Sequence, residues 1–506
     1  MSNNKKALGN IFIYVLMFVS AAIFVLIASA TTSPLYPNYK GWDSGLFQVI
    51  GKGWLQGHVP YKELYDQKGP AIFFISTLGY AIAGSEIGVF IIQIAFMFAS
   101  ECIIYKICNR VFKDWAAFLI AALGIFVFAC NYEFGNLCEE YCNPLLLASM
   151  YLVTRWIDNK NSGENSHNPL YAFVYGITFG FSMMTRLTNA IGVCVAVFFI
   201  MLYLIFKKEF ANLLKNAVGF ILGTALIVAP FMIYFAVKGA TYDFWYGTLL
   251  YNIAYATNSK GGIMTVIKGA AGQIGSYAIM AAGIICIIRK KYFDGTLYFS
   301  LGAATEVLLM NIMNYGHYSM ITFAYLPIAI YALKKNIDEC KDDTDSLGKL
   351  TTRLAIIVMA GVVLIAGART GKEMLKLKNY YNRYYADSQA NAVLQYKQLL
   401  DVVGRIPEED RNSIVGYGTN PWFYLDMDIT PACKFFVMQD WQAEFSEDFR
   451  SKLVTEFEAR KPKWIVYSNA EESSIGEILS SYYEVYSIDD VIGSNDASRI
   501  ILYKLK

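Results

Sequence analysis

Through its first 368 residues the chain alternates long apolar runs with short polar connections. Runs of about 18 or more apolar residues match the roughly 30 Å hydrocarbon core of a bilayer. The first run, Leu8 to Ala30, follows Lys5 and Lys6. Its end, Ala28-Ser29-Ala30, resembles a signal-peptidase site, but the run is longer than the roughly 7–15 residues of a signal core. It therefore reads as an uncleaved span. Further spans are predicted at 87–110, 115–131, 141–156, 169–184, 189–206, 213–236, 264–288, 294–313, 317–333 and 353–368. That makes eleven, an odd number, so the N-terminus and the C-terminal tail fall on opposite sides. Ala71 to Ala83 is too short to cross comfortably and is flanked by Pro70 and Gly84, so it reads as interfacial or re-entrant.

Charge orients this arrangement. Connections assigned to the cytoplasm carry 18 Lys/Arg, among them Lys106, Arg110, Lys113, Arg289, Lys290 and Lys291. Those assigned outside, before the tail, carry 8: Lys40, Lys52, Lys62, Lys68, Arg186, Lys238, Lys260 and Lys268. The positive-inside rule then puts the N-terminus in the cytoplasm and the tail outside the plasma membrane. Making 71–83 a full span would invert every later connection and put the basic clusters outside.

From about Arg369 the pattern changes. Asn391 to Val403 and Phe445 to Arg460 have helical spacing, whereas Ser413–Tyr417, Lys463–Tyr467 and Arg499–Tyr503 read as short strands. Alternating helix and strand over residues 369–506 suggests a small extracytoplasmic α/β domain. Residues 1–368 form the transmembrane module. Gly416-Tyr417-Gly418-Thr419-Asn420-Pro421 follows the first strand, as a turn or a ligand contact.

Composition agrees: 56% of residues are hydrophobic and 17% charged, against roughly 45–50% and about 25% in soluble domains. A net charge of +2 gives no sign of a nucleic-acid partner. The nine cysteines, mostly inside apolar runs, read as small hydrophobes with free thiols, Cys138 and Cys142 included. His58, His167 and His317 lie far apart, and no Cys/His spacing suits zinc.

Under the eleven-span topology, polar residues gather on the outer side. The first outer loop holds Trp42-Asp43 and Asp66-Gln67-Lys68-Gly69-Pro70, the second Glu133, Glu139 and Glu140. Later turns read Thr185-Arg186-Leu187-Thr188-Asn189 and Asn314-Tyr315-Gly316-His317-Tyr318. Sugar transfer from a lipid phosphate requires cations where charge builds on the departing phosphate, a part suited to Lys68 and Arg186. It also requires a carboxylate to take the acceptor's proton, for which Asp43 is the natural candidate. Carboxylates near the sugar stabilise its oxocarbenium-like centre. Glu139 or Glu140 suits that second acidic role, or the holding of a divalent ion. The amphipathic stretch between Gly45 and Tyr61 suits a helix at the membrane interface.

At these residues the chain resembles the family 39-type membrane glycosyltransferases of the GT-C fold, which include protein O-mannosyltransferases and the aminoarabinose transferase of lipid A. The resemblance covers about residues 8–370. It rests on the first-loop aspartate, the acidic-Lys-Gly-Pro step with Gln67 between acid and lysine, the second acidic site, the Thr-Arg turn and the Tyr-Gly-His-Tyr turn. It implies a polyprenyl-phosphate sugar donor, an inverting single displacement and an extracytoplasmic acceptor. It implies that Asp43 is the base, Lys68 and Arg186 bind the donor phosphate, and Glu139 or Glu140 is the second acid. Asp66, Asn189, Tyr315 and His317 would line the cavity, with Asp66 and Glu139 as candidate ligands of a divalent metal ion. The tail is expected to help select the acceptor, an expectation that its deletion would test.

A transporter or flippase of a lipid-linked or small substrate is the alternative. Such proteins commonly show internal repeats and sites near the midplane. No repeat is visible here, and the candidates sit at the outer face. Two acids fall within apolar runs, where ionisable groups are costly and usually functional. Glu306 lies toward the outer half of its span, and Glu101 is expected to pair with Lys106 or Arg110.

Overall fold

The computed structural model describes residues 2–258, 273–311, 315–340, 345–381, 390–468, 473–492 and 499–506. Among these, six helical segments are long and apolar enough to cross a membrane: Ile11–Ala28, Glu86–Cys108, Asp114–Asn131, Leu187–Phe206, Phe210–Val237 and Ser346–Asn379. Pro169–Met183 and Ile274–Ile288 are shorter and apolar, and Cys138–Asn161 and Tyr292–Asn311 are longer helices with more polar residues. Every expected span but one is thus matched by a helix, although 264–272 and 312–313 lie outside the described residues. The chain is a multi-pass membrane protein. Helix Pro70–Ala83 has 14 residues, about 21 Å at 1.5 Å per residue, and falls short of the bilayer core.

The exception is the span expected at 317–333. Gly316–Tyr325 forms a 3-10 run, followed by an α-helix over Leu326–Glu339. Pro327 lies in the first turn of that helix, where its missing N–H and fixed φ cost nothing, but it cannot continue an α-helical ladder from residue 323. The apolar sequence signalled burial without revealing this change of pitch. The last membrane helix also runs further than expected, over Ser346–Tyr380.

The chain divides into two compact units. One comprises Met1–Ser29, Ile92–Phe231 and Lys260–Lys376, and the other Ala30–Ile91, Met232–Ser259 and Leu377–Lys506. Within the first, helices Pro169–Met183 and Phe210–Val237 approach backbone to backbone. A Cβ on Gly176 would sit 2.1 Å from the Phe220 carbonyl oxygen, and one on Gly223 2.0 Å from that of Phe173. The two Gly-x-x-x-Gly steps, Gly176/Gly180 and Gly219/Gly223, give each helix the small-residue face that close packing in lipid needs.

Ion pairs in this unit follow the expected alternation across a bilayer. Connections after the second, fourth, eighth and tenth spans meet: Asp158 takes Arg110, Lys335 and the Tyr331 hydroxyl, and Lys160 reaches Asp294 at 2.8 Å. Connections after the third, fifth and ninth spans meet through Glu133 with His317 and Glu139 with Arg186. The expectation for Glu101 is corrected. Its carboxylate accepts from the Ser20 hydroxyl on the first helix, at 2.6 and 2.7 Å, because Arg110 is engaged by Asp158. Glu306 is buried beside Ser276 and Tyr277.

The second unit combines the connections after the first and seventh spans with the tail. Helix Trp42–Leu55 is largely buried, and Gly51 brings it against Ser76 of helix Pro70–Ala83, where a Cβ would lie 2.4 Å from the Ser76 Cβ. It is therefore packed against protein along most of its length. The tail forms a four-stranded sheet of β1 (Ile414–Tyr417), β2 (Trp464–Tyr467), β3 (Tyr482–Ile488) and β4 (Ile500–Leu505), ordered β1-β2-β4-β3. β1 and β2 are parallel and the other pairings antiparallel. Helix Glu447–Arg460 lies in the crossover between the parallel strands and buries Phe449, Leu453 and Phe457, spaced by four along one face. Ser446 caps it by accepting from the Phe449 N–H at 3.2 Å. Three of the strands match the sequence expectation. β3 escapes it because it is an edge strand, largely exposed, with a register shift between Glu484 and Tyr486.

Candidate active site

In the second unit Asp43 stands in the first turn of helix Trp42–Leu55, one residue after the exposed Trp42. Gly41 is the N-cap, so Asp43 does not cap the helix. Its half-buried carboxylate has no hydrogen-bond or ion-pair partner among the described residues, and the positive end of the helix dipole favours its charge. The preceding loop is fixed by the tail. Trp422 Nε1 donates to the Gly41 carbonyl at 2.8 Å, and Asn420 Nδ2 donates to that of Lys40 at 2.8 Å. Lys40 pairs with Asp426 at 2.9 Å.

The acidic-Lys-Gly-Pro step leads directly into helix Pro70–Ala83, with Gly69 as N-cap and Pro70 at the first position. Tyr61, with φ +66°, donates its hydroxyl to the Lys68 carbonyl at 2.7 Å. Asp66 is 1% exposed, and its Oδ2 has no partner among the described residues. Burial raises the pKa of this carboxyl and nearby Asp43 adds to the rise, against the opposing effects of Lys68 and two backbone N–H groups. Gln67, the residue that departs from the family pattern, accepts on Oε1 from Gln442 Nε2 at 2.6 Å, and Asn252 Nδ2 donates to its carbonyl at 2.7 Å. Tyr65 donates its N–H to the Lys434 carbonyl at 2.9 Å and packs edge-on against Phe435, 5.0 Å between ring centroids. The tail and the 232–259 segment therefore hold this loop. Gln442→Ala leaves the buried Gln67 oxygen without its donor. It should cost about 1–3 kcal/mol of stability, read as a lowered thermal midpoint of the solubilised protein; an unchanged midpoint would mean that this contact does not hold the loop.

In the first unit the adjacent acids separate cleanly. Glu140 accepts from Gln93 Nε2 at 2.9 Å, from the Asn136 N–H at 2.9 Å and from the Tyr132 hydroxyl. Glu139, also 2% exposed, pairs with Arg186 at 2.9 Å. The Arg186 guanidinium lies over the Tyr318 ring, 3.0 Å from its centroid. Asn189 is buried, with Nδ2 3.4 Å from the sulfur of Cys142, and both Cys138 and Cys142 are free thiols.

His317 meets Glu133 through Nδ1, and its backbone N–H donates to the other Glu133 oxygen at 3.2 Å. Tyr315 stacks on the imidazole at 5.8 Å. Burial pushes the Glu133 pKa up, but the His317 hydrogen bond and charge outweigh it and hold the carboxyl below its ordinary value. Glu133, Phe134, Gly135 and Asn136 all have positive φ, between +42° and +83°. Three non-glycine residues in that region form a strained turn, and it aims Glu133 at His317 while presenting the Asn136 N–H to Glu140. The sequence places Glu133 in the second outer loop without singling it out; the Glu-Phe-Gly-Asn turn is the available signal. Gln93, within a span, and Gln442, in the tail, gave none.

Asp66 and Glu139, the candidate metal ligands, belong to different compact units. Among the described residues no group of three or more His, Cys, Asp or Glu could hold an ion, and Glu139 is engaged by Arg186. As the described residues stand, Asp66 and Glu139 do not make up a divalent-metal site.

A family profile described as dolichyl-phosphate-mannose-protein mannosyltransferase matches residues 67–235. The stretch begins at Gln67 and includes Lys68, both acids, Arg186 and Asn189. The crystal structure of ArnT from Cupriavidus metallidurans bound to undecaprenyl phosphate aligns with 97% of this chain and 98% of that one, at 11% identity and a TM-score of 0.57. The apo form aligns with 97% of each chain, at 11% identity and a TM-score of 0.55. No curated protein sequence matches. The fold is that of the GT-C membrane proteins. Within that class, the resemblance to family 39-type enzymes is borne out by the profile match and by the ArnT-like fold.

Proposed function

We propose that this protein is a membrane glycosyltransferase that moves a sugar from a polyprenyl-phosphate donor to an extracytoplasmic acceptor by inverting displacement. The observation that carries this reading is the contrast within the second unit. Asp43 keeps an uncommitted carboxylate at a helix start, while the neighbouring Asp66–Lys68 loop is held rigidly. Asp43 takes the proton of the acceptor hydroxyl as that oxygen attacks the sugar carbon, and the lipid phosphate leaves from the opposite face. Lys68 and Arg186 hold the departing phosphate. One Arg186 nitrogen is used by Glu139, and the remaining N–H groups have no protein partner among the described residues. Glu139 positions Arg186, and Glu140 braces the turn beneath it. Asp66 in the second unit and Asn189, Tyr315 and His317 in the first are the further residues proposed to contact substrate.

In this reading the N-terminus is cytoplasmic and the tail extracytoplasmic, in the plasma membrane. Residues 1–368 supply the transmembrane module and 369–506 the soluble domain. The test is incubation of the detergent-purified protein with radiolabelled polyprenyl-phosphate hexoses and pentoses. Transfer, or slow donor hydrolysis, is expected with one of them; no consumption of any donor overturns the reading. Lys68→Ala removes a charge-assisted contact worth about 1.5–3 kcal/mol. It should weaken donor KM by roughly tenfold or more, and unchanged donor kinetics would remove Lys68 from the phosphate site.

A further inference from the structure

A cavity of about 340 Å³ opens in the second unit, away from the Asp66 loop. Its walls come from the loop before Asp43, helix Asn391–Gly404, the turns at the carboxyl ends of β1 and β2, Val491 between β3 and β4, and Ile500 at the start of β4. The carboxyl ends of adjacent parallel strands are where open α/β sheets bind ligands. The Gly-Tyr-Gly-Thr-Asn-Pro turn noted in the sequence therefore forms part of a cavity wall.

The lining chemistry narrows the occupant. Trp42, 42% exposed, and Tyr396, whose ring centroid lies 5.5 Å from Lys40 Nζ, are the aromatic lining residues, beside the amides of Asn38 and Gln395 and the hydroxyls of Thr419 and Ser468. The Thr419 hydroxyl is buried without a hydrogen-bond partner among the described residues. Lys40 is the one charged side chain in the wall among the described residues, and its charge is already matched. It pairs with Asp426 and lies 4.6 Å above the Trp422 ring. An anion finds no uncompensated cation here, and an acyl chain would strand the amides and hydroxyls. Flat aromatic faces beside neutral amides and hydroxyls suit a sugar ring, which has apolar C–H faces and a polar rim. The volume is at the lower end of the roughly 300–1,000 Å³ range of small-molecule sites.

We infer that this cavity is a subsite for a neutral saccharide unit of the acceptor, seated beside the residue that precedes Asp43. Its role as an acceptor seat rests on the transferase reading; its ability to bind sugar does not. The experiment measures binding of free hexoses, N-acetylhexosamines, pentoses and their disaccharides to the full chain in nanodiscs, by saturation-transfer NMR. Wild type should bind at least one of them with a Kd of about 1 mM. Ala392 and Gln395 are both exposed on helix Asn391–Gly404, so changing them spares the core. Ala392→Trp, which fills the mouth, or Gln395→Ala, which removes an amide, should weaken that binding at least tenfold. If no saccharide of the panel binds, or if binding survives both changes, the subsite is overturned. Donor hydrolysis without saccharide binding would remove the subsite and keep the transferase; saccharide binding without donor turnover would do the reverse.

Discussion

Asp43→Asn should abolish most of the proposed transfer activity, by about 10²–10⁴-fold, in a protein expected still to fold and to bind its donor. The asparagine side chain matches the carboxylate in shape but cannot accept the acceptor's proton. Folding should barely register the change, because Asp43 makes no hydrogen bond or ion pair among the described residues; its interaction with the helix dipole is lost and its repulsion of Asp66 is relieved. That interaction is worth about 0.3–1 kcal/mol at a partly exposed site. The measurement is initial-rate transfer at saturating donor beside a thermal melt of the same preparation. Lost activity with an unshifted melt identifies Asp43 as the base. Undiminished turnover assigns that role elsewhere, and a collapsed melt gives Asp43 a structural part.

Arg186→Met is expected to have the second large effect, on stability and, in the proposed reading, on donor use. The substitution leaves Glu139, 2% exposed, without the guanidinium that neutralises it. Breaking a buried ion pair from one side costs about 3–5 kcal/mol. The paired substitution Arg186→Met with Glu139→Met removes both charges and should recover much of that loss, since apolar replacements of a buried pair are often close to neutral. Donor binding should not recover in the double variant if Arg186 also holds phosphate. Thermal midpoints of the single and double variants, with the donor KM of the double, separate the two roles. A double variant that regains both stability and normal donor KM would leave Arg186 as a structural residue only.

The membrane helices were legible in the sequence because a bilayer imposes one length and one polarity on whatever crosses it. The charge bias of the connections was legible for a similar reason. What remained hidden depended on contacts between distant segments. Nothing in the residues flanking Glu101 favours Ser20 over Lys106 as its partner, and only the packing of the first helix does so. The adjacent Glu139 and Glu140 could not be told apart, because their roles are set by Arg186 in one case and by Gln93, Tyr132 and a strained turn in the other. Gln67 looked like an irregularity in a familiar motif. It is a handle for Gln442, some 375 residues later in the chain.

That long-range hold also changes what the tail can be asked. The sequence leads one to expect that the tail selects the acceptor and that its deletion would reveal this. Because Asn420, Trp422, Lys434 and Gln442 grip the loops that carry Asp43 and Asp66, deletion would disturb catalysis and selectivity together. Point changes in the cavity wall ask the question without that confusion.

The same grip sets an order of events during synthesis. The loops bearing Asp43, Asp66 and Lys68 are translated well before the residues that fasten them, Asn420 to Gln442. Until the polypeptide from Asn420 to Gln442 has emerged and docked, those loops lack the partners that fix their shape. A ribosome-bound nascent chain stalled before that stretch would carry the proposed reactive side chains without the contacts that fix their loops, and in the proposed reading its activity should wait for those contacts.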